Sequence, residues 1–175
     1  LRVAGHSMGA RVAMEMARLA PDRIERLALL DTGIHPLRED EPAKRAAIVK
    51  FAKENGMEAL AKRWLPGMVY EPNRADNELM KRLTDMVLRS DPEMHARQIK
   101  ALLDRPDAGE YLPQITCPVL LIVGRQDQWS PVSQHEDMLN RLGNARLEII
   151  EDAGHFAPLE QAERVASLLS DFWSQ

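Results

Sequence analysis

The sequence contains a single cysteine, Cys117, and aromatic residues make up only 5% of its 175 residues. One cysteine excludes an internal disulfide framework and a cysteine-rich zinc site. The longest purely apolar run, 119–123, is far shorter than the roughly 20 residues that a membrane-spanning helix needs. The net charge is -4 and neither sign forms a long block. The composition therefore does not favour binding to nucleic acid or to an anionic membrane.

Apolar residues make up 45% and charged residues 29% of the chain, as in an ordinary soluble globular protein. On a prior of roughly 150 residues per domain, the length corresponds to one domain. The chain begins with Leu1, inside a segment with the pattern of a strand. Any targeting signal is expected ahead of Leu1, and we expect a cytoplasmic protein.

Short apolar runs alternate with segments of helical periodicity at both ends of the chain, which predicts an α/β fold with a mostly parallel sheet. The predicted strands are 1–4, 27–31, 118–123 and 146–150, and the predicted helices between and after them are 10–20, 130–142 and 159–173.

The middle of the chain has a different character, with helical patterns and no convincing strand. We assign 1–35 and 113–175 to an α/β core and 36–112 to a helical insertion. Four helices are predicted in this region, the first beginning near Pro42 and ending at Gly56, the others at 57–65, 76–89 and 91–103.

The sharpest motif is the sequence Gly5-His6-Ser7-Met8-Gly9, which stands directly between a predicted strand and a predicted helix. A serine on such a tight turn is lifted above the sheet, and we expect small residues two positions away on both sides because larger side chains would collide across the bend. The N–H of Met8 would lie at a helix N-terminus, where it can donate to a developing oxyanion.

A serine needs a base that accepts its proton, and five histidines are available. His155 is the best placed, because its loop follows the last strand and parallel strands bring their carboxyl ends to one edge of the sheet. By alternation His6 points away from the serine and is structural. His95 and His135 are expected on solvated helix faces, and His35 either lines the pocket or, as the preferred alternative, lies at the surface.

The base needs an orienting carboxylate on another loop at the same edge. Asp127 follows a strand by three residues and is favoured. Asp31 ends the preceding strand and is the serious rival. Asp152 is too close in sequence to the histidine for a suitable approach.

At this point the chain resembles the α/β-hydrolase family, and the resemblance covers nearly all of it. The first matching segment, LRVAGHSMGARVAMEMARLAPDRIERLALLD, is similar to the strand, elbow, helix and next strand that carry the nucleophile. The second, CPVLLIVGRQDQWSP, is similar to the strand and loop of the acid, and the third, EDAGHFAPLEQAERV, to the histidine loop and final helix.

The resemblance implies roles for the residues that match these motifs. Ser7 is the implied nucleophile, Asp127 the acid and His155 the general base and then acid, with the N–H of Met8 as one oxyanion donor. The insertion 36–112 corresponds to the family's cap, which shapes the substrate pocket. A serine at the elbow separates this chain from the haloalkane dehalogenases and epoxide hydrolases, which use an aspartate.

The expected activity is that of a carboxylesterase-like serine hydrolase, which cleaves a small carboxylic ester or related acyl substrate through an acyl-enzyme on Ser7. We expect no cofactor, no metal ion and no partner other than the small-molecule substrate, and no feature indicates an oligomeric state. Hydrolysis of a carbon-carbon bond or an enol-lactone is the alternative, an acyltransferase is a further one, and a non-catalytic ligand-binding protein is the alternative of another class. Trp129 and Phe156 flank the acid and base, either as pocket walls or as ordinary packing.

The family pattern places about four more strands, at least one helix and a His-Gly-type loop ahead of the elbow, and this loop completes the oxyanion hole. The chain contains none of them, so we expect it to be the C-terminal part of a longer hydrolase. Its elbow strand would then lie at the edge of the sheet, and the piece alone would be poorly folded and nearly inactive.

Overall fold

The computed structural model describes residues 1–175, and its centre is a parallel sheet of four strands. The strands are β1 (Arg2–His6), β2 (Arg26–Leu30), β3 (Val119–Gly124) and β4 (Ala145–Ile150). They lie in the order β1-β2-β3-β4 and every neighbouring pair is parallel. The four predicted strands and the edge position of the elbow strand are confirmed, and β1 runs two residues beyond its predicted end.

Helices cover both faces of the sheet, because successive side chains of a strand point to opposite sides. On one face, α1 (Met8–Leu19) and α6 (Val132–Arg141) pack on Leu27 and Leu29 of β2. On the other face, α8 (Ala162–Ser174) packs on Ala28 and Leu30. All six residues of β3 are buried, as is typical of a central parallel strand.

The end of the chain differs from the prediction of one helix over 159–173. The structure has a short α7 (Ala157–Glu160) followed by α8. Gln161 between them has φ -132 and ψ 55, which are not helical values, so the chain changes direction there. The predicted single helix is therefore wrong at its start.

The middle region is helical, as expected. Its helices are α2 (Glu41–Trp64), α3 (Asn77–Leu88), α4 (Pro92–Leu103) and a short α5 (Ala108–Tyr111) that was not predicted. Gly56 has φ 81 and ψ 171, and this kink divides α2 at the predicted place. Asp76 and Asp91 cap the N-termini of α3 and α4 with their side chains. No helix in the structure has the length and apolar character needed to cross a bilayer.

We call residues 36–112 the helical insertion, and its limits as a separate unit stay a prediction. It has its own apolar cluster, centred on Leu60, Leu65 and Leu83, with side chains from α2, α3 and the turn after α2. Phe156, from the loop after β4, belongs to the same cluster. The insertion is therefore packed against the edge of the sheet at which the strands end.

Candidate active site

Ser7 lies on the turn between β1 and α1 in a conformation that few residues with a side chain adopt, with φ 52 and ψ -116. Its N–H donates to the carbonyl of Leu30 at 2.9 Å, and its own carbonyl accepts from the N–H of Ala10 at 3.1 Å. The hydroxyl of Thr32 also donates to this carbonyl, at 3.2 Å. These bonds hold the strained residue in place from both neighbouring elements.

The two glycines of the motif differ in the space that surrounds them. A Cβ on Gly5 would lie 2.4 Å from the carbonyl oxygen of Gly9 and 2.6 Å from Cα of Ala10, so no side chain fits there. A Cβ on Gly9 would meet nothing within 4 Å. The expected collision is thus found at Gly5 but is wrong for Gly9, where a side chain would meet open space.

Ser7, His155 and Asp127 form a continuous chain of hydrogen bonds. Nε2 of His155 lies 2.8 Å from Oγ of Ser7, and Nδ1 of His155 lies 2.8 Å from Oδ2 of Asp127. The residues of this chain come from the ends of β1, β3 and β4, and both His155 and Asp127 are buried. An arrangement of this kind can supply a nucleophile, a base and an orienting acid.

Asp127 is held in its charged form by its neighbours. Burial alone would raise its pKa, but the hydrogen bond and charge of His155 outweigh burial and lower the pKa of Asp127. The N–H groups of Trp129 and Ser130 donate to Oδ1 at 2.8 and 3.0 Å. Asp127 is thus both fixed in direction and kept as an acceptor for Nδ1 of His155.

Asp31, the rival for the role of the acid, lies beneath this chain and does not contact His155. Its Oδ1 accepts from the N–H of Gly124 at 2.9 Å, and its Oδ2 lies 3.4 Å from Nε2 of His6. The same nitrogen of His6 lies 2.6 Å from the carbonyl oxygen of His155. Asp31 and His6 therefore support the main chain of His155, as expected of a structural His6.

Two other histidines do not lie where the sequence suggested. His135 and His95 were expected on solvated faces, yet both are buried. His135 shares one face of α6 with the buried Met138, three residues on, and its Nε2 accepts from the N–H of Thr32 at 3.1 Å. Burial lowers the pKa of His135 to about 4. His95 packs edge-on against Trp64, with ring centroids 5.6 Å apart.

A cavity of ≈ 670 Å³ opens above Ser7, within the size range of small-ligand sites. The sheet edge and the helical insertion both contribute to its wall. Trp129 and Phe156 line it, as does the exposed His35 at its rim. Met8 also lines the cavity, and its N–H belongs to the first turn of α1, where N–H groups have no partner within the helix.

The loop that carries His155 is held by a residue that the sequence did not single out. Oε1 of Glu160 accepts from the N–H groups of Gly154 at 2.9 Å and Phe156 at 3.3 Å. Its Oε2 accepts from the N–H of Tyr70 at 2.9 Å. The N–H of His155 itself donates to the carbonyl of Met68 at 2.7 Å. No sequence signal distinguishes Glu160 from an ordinary exposed glutamate in a first helical turn.

The sequence is similar to named hydrolases over almost its whole length. It is 30% identical to a 2-hydroxy-6-oxononadienedioate/2-hydroxy-6-oxononatrienedioate hydrolase from Cupriavidus pinatubonensis, over 98% of this chain and 61% of the relative. The chain thus spans less than two thirds of the length of this relative.

Solved structures of hydrolases are also similar to almost the whole chain. A thermophilic esterase from Thermogutta terrifontis, with malate bound, matches with a TM-score of 0.93 and 30% identity, over 99% of this chain and 64% of the esterase. An enol-lactonase from Burkholderia xenovorans LB400 matches with a TM-score of 0.89 and 26% identity, over 99% of this chain and 65% of the lactonase. The sequence also matches the alpha/beta hydrolase family over residues 2–168. The parallel sheet, the elbow and these matches together show that the chain belongs to the alpha/beta hydrolase family.

Proposed function

We propose that the intact protein hydrolyses a carbon-carbon bond beside the ketone of a small dienoic acid, with Ser7 as nucleophile. The observation that carries this proposal is the hydrogen-bonded chain from Ser7 through His155 to Asp127 at the floor of a cavity. Support for the bond type comes from the curated relatives, which are named as hydrolases of 2-hydroxy-6-oxononadienedioate.

Each residue has one task in this reaction. Oγ of Ser7 attacks the ketone carbon while Nε2 of His155 accepts its proton, and the N–H of Met8 donates to the oxyanion that forms. The carbon-carbon bond then breaks, and the leaving carbon takes its electron pair and the proton from His155. Water, deprotonated by His155, cleaves the acyl-serine, which releases a carboxylic acid and restores Ser7. Asp127 holds the ring of His155 and stabilises its positive charge.

Hydrolysis of an ester or enol-lactone is the second candidate. The similarity to an esterase and an enol-lactonase supports it, and the same residues would act on the acyl carbon. Trp129 and Phe156 would form apolar walls beside the substrate in either reaction.

The two candidates are separated by substrate comparison. We would offer the intact protein a 2-hydroxy-6-oxodienoate, an enol-lactone and p-nitrophenyl esters, with Ser7→Ala as the control. A kcat/KM highest for the dienoate, and lost in Ser7→Ala, is expected. Faster turnover of the lactone or the esters would replace the first candidate with the second. Turnover of none of them, with no labelling of Ser7 by a fluorophosphonate, would favour a ligand-binding protein.

A further inference from the structure

The cavity above Ser7 has a charge opposite to that of the whole chain. The chain carries a net charge of -4. The cavity wall nevertheless includes five cationic side chains and one carboxylate, that of Glu41. The five cations are Arg11, Arg38, Lys44, Arg45 and Arg105. A wall of one sign around a low-dielectric space attracts small ions of the other sign.

Two of these cations are ordinary surface groups. Arg38 and Lys44 are exposed at the rim, and each lies close to the carboxylate of Asp40, at 3.5 and 2.6 Å. Exposed pairs of this kind contribute little binding energy, because solvent screens them. They therefore do not account for a specific site.

The other three guanidinium groups gather around one carboxylate. Arg105 donates to both oxygens of Glu41, at 3.1 and 2.8 Å, and Arg45 donates to Oε1 at 3.2 Å. Arg11 forms no ion pair, although it lies close enough to Arg105 for the two charges to repel. Asp107 also lies near Arg11 without forming an ion pair with it, so two carboxylates face three guanidinium groups and the cluster keeps one excess positive charge.

Arg11 has a donor that the protein does not use. Its Nη2 donates to the carbonyl of His35 at 3.2 Å, whereas Nη1 is buried and has no acceptor. Nε of Arg105 is likewise buried without an acceptor. Burial, together with the charge of Arg105, lowers the pKa of Arg11 to about 10. Buried donors without partners are costly, and the two side chains that carry them also line the cavity, where a small anion would offset their charge.

We propose that Arg11 and Arg105 form a subsite in the cavity above Ser7 that binds a carboxylate of the substrate. The N–H of Arg11 donates to the carbonyl of Ser7 at 3.4 Å, and both residues line the same cavity. One small substrate in this cavity can therefore contact both residues. This inference names the substrate class and rests on the proposed function.

The subsite is tested by two measurements on the intact protein, one of which does not depend on catalysis. The first is the rise in Tm caused by succinate, compared with its uncharged diamide at equal ionic strength. The second is the protection of Ser7 by succinate against a neutral alkyl fluorophosphonate. We expect Arg11→Met to require about 10- to 100-fold more succinate for the same rise in Tm and for the same protection of Ser7. This is the range for loss of a charge-assisted hydrogen bond. Lys44→Met, at the rim, should leave them unchanged.

The outcomes separate the two proposals. Labelling of Ser7 at the original rate in Arg11→Met shows that the variant is folded, and Arg11→Lys, which retains the charge, should recover part of the succinate effect. No rise in Tm with succinate, or equal rises in the original protein and Arg11→Met, would overturn the subsite. Failure of Ser7 to react, with the succinate effect intact, would overturn the proposed function and leave the subsite standing.

Discussion

Asp127 and His155, which are 28 positions apart, meet through a 2.8 Å hydrogen bond between Oδ2 and Nδ1. The other oxygen of Asp127 accepts from two backbone N–H groups of its own loop. One oxygen of the carboxylate thus faces the ring of His155, and the other is fixed by the loop of Asp127 itself. Asp31 has no such access to His155, because His6 lies between them.

Replacement of Asp127 by asparagine should abolish most of the activity. Asp127→Asn should lower kcat by about 10⁴-fold, because the amide can stabilise the wrong tautomer of His155 and does not stabilise its charge. Asp31→Asn is the matched control and should cost far less, since Asp31 contacts the N–H of Gly124 and the ring of His6 but forms no hydrogen bond with His155. Steady-state kinetics of both variants measures this. A larger loss in Asp31→Asn would make Asp31 the functional acid.

The two glycines of the elbow should respond differently to alanine. Gly5→Ala introduces a Cβ that clashes with the backbone of Gly9 and Ala10, so we expect loss of activity and a clearly lower free energy of unfolding. Gly9→Ala has free space and helical surroundings, and its stability should stay within about 1 kcal/mol of the original protein. Urea unfolding and labelling of Ser7 measure both effects. Equal damage by the two substitutions would contradict this account of the turn.

His135 should make the fold sensitive to mild acid. Its pKa is about 4 in the folded protein and 6.5 in a solvated chain, so the unfolded state binds the proton more tightly. This contribution to stability is present above pH 6.5 and is lost as the pH falls towards the folded pKa. Between about pH 7 and about pH 5 this effect lowers the free energy of unfolding by about 2 kcal/mol.

The variant His135→Gln isolates this effect. Its side-chain oxygen can accept from the N–H of Thr32 as Nε2 does now, yet it does not titrate. Urea unfolding at both pH values should show that acid lowers the free energy of unfolding of the variant by about 2 kcal/mol less than that of the original protein. The same pH slope in both proteins would show that His135 is not the titrating group.

Glu160 should affect turnover through the position of His155. Glu160→Ala leaves the N–H groups of Gly154 and Phe156 without their acceptor. It also removes the hydrogen bond from the N–H of Tyr70 in the helical insertion. We expect kcat to fall while labelling of Ser7 slows in parallel, because both need His155 as base.

Glu163 provides the matched control for this prediction. It is an exposed glutamate in the first turn of α8, and no hydrogen bond or ion pair involves its side chain. Glu163→Ala should therefore keep the original kcat and labelling rate. A similar decrease in both variants would assign the effect to the local helices and not to the loop of His155.

Local features of the sequence were sufficient to predict much of this protein. The four strands, the elbow at Ser7, the kink at Gly56 and the capped helix after Asp91 depend on neighbouring residues, and they lie where expected. Histidine was less predictable, because its ring is compatible with both a solvated and a buried face. The surroundings of His135, set by distant elements, decide between the two.

The sequence by itself determined most of the elements and the order of Ser7, Asp127 and His155 along the chain, because short-range backbone preferences and apolar periodicity encode them. Only the tertiary structure decided that Asp127 and not Asp31 reaches His155, and that Glu160 anchors the loop of His155. It alone brought Arg11 close to Arg105, 94 positions away. Such pairings depend on how whole elements pack, and no local pattern of residues carries that information.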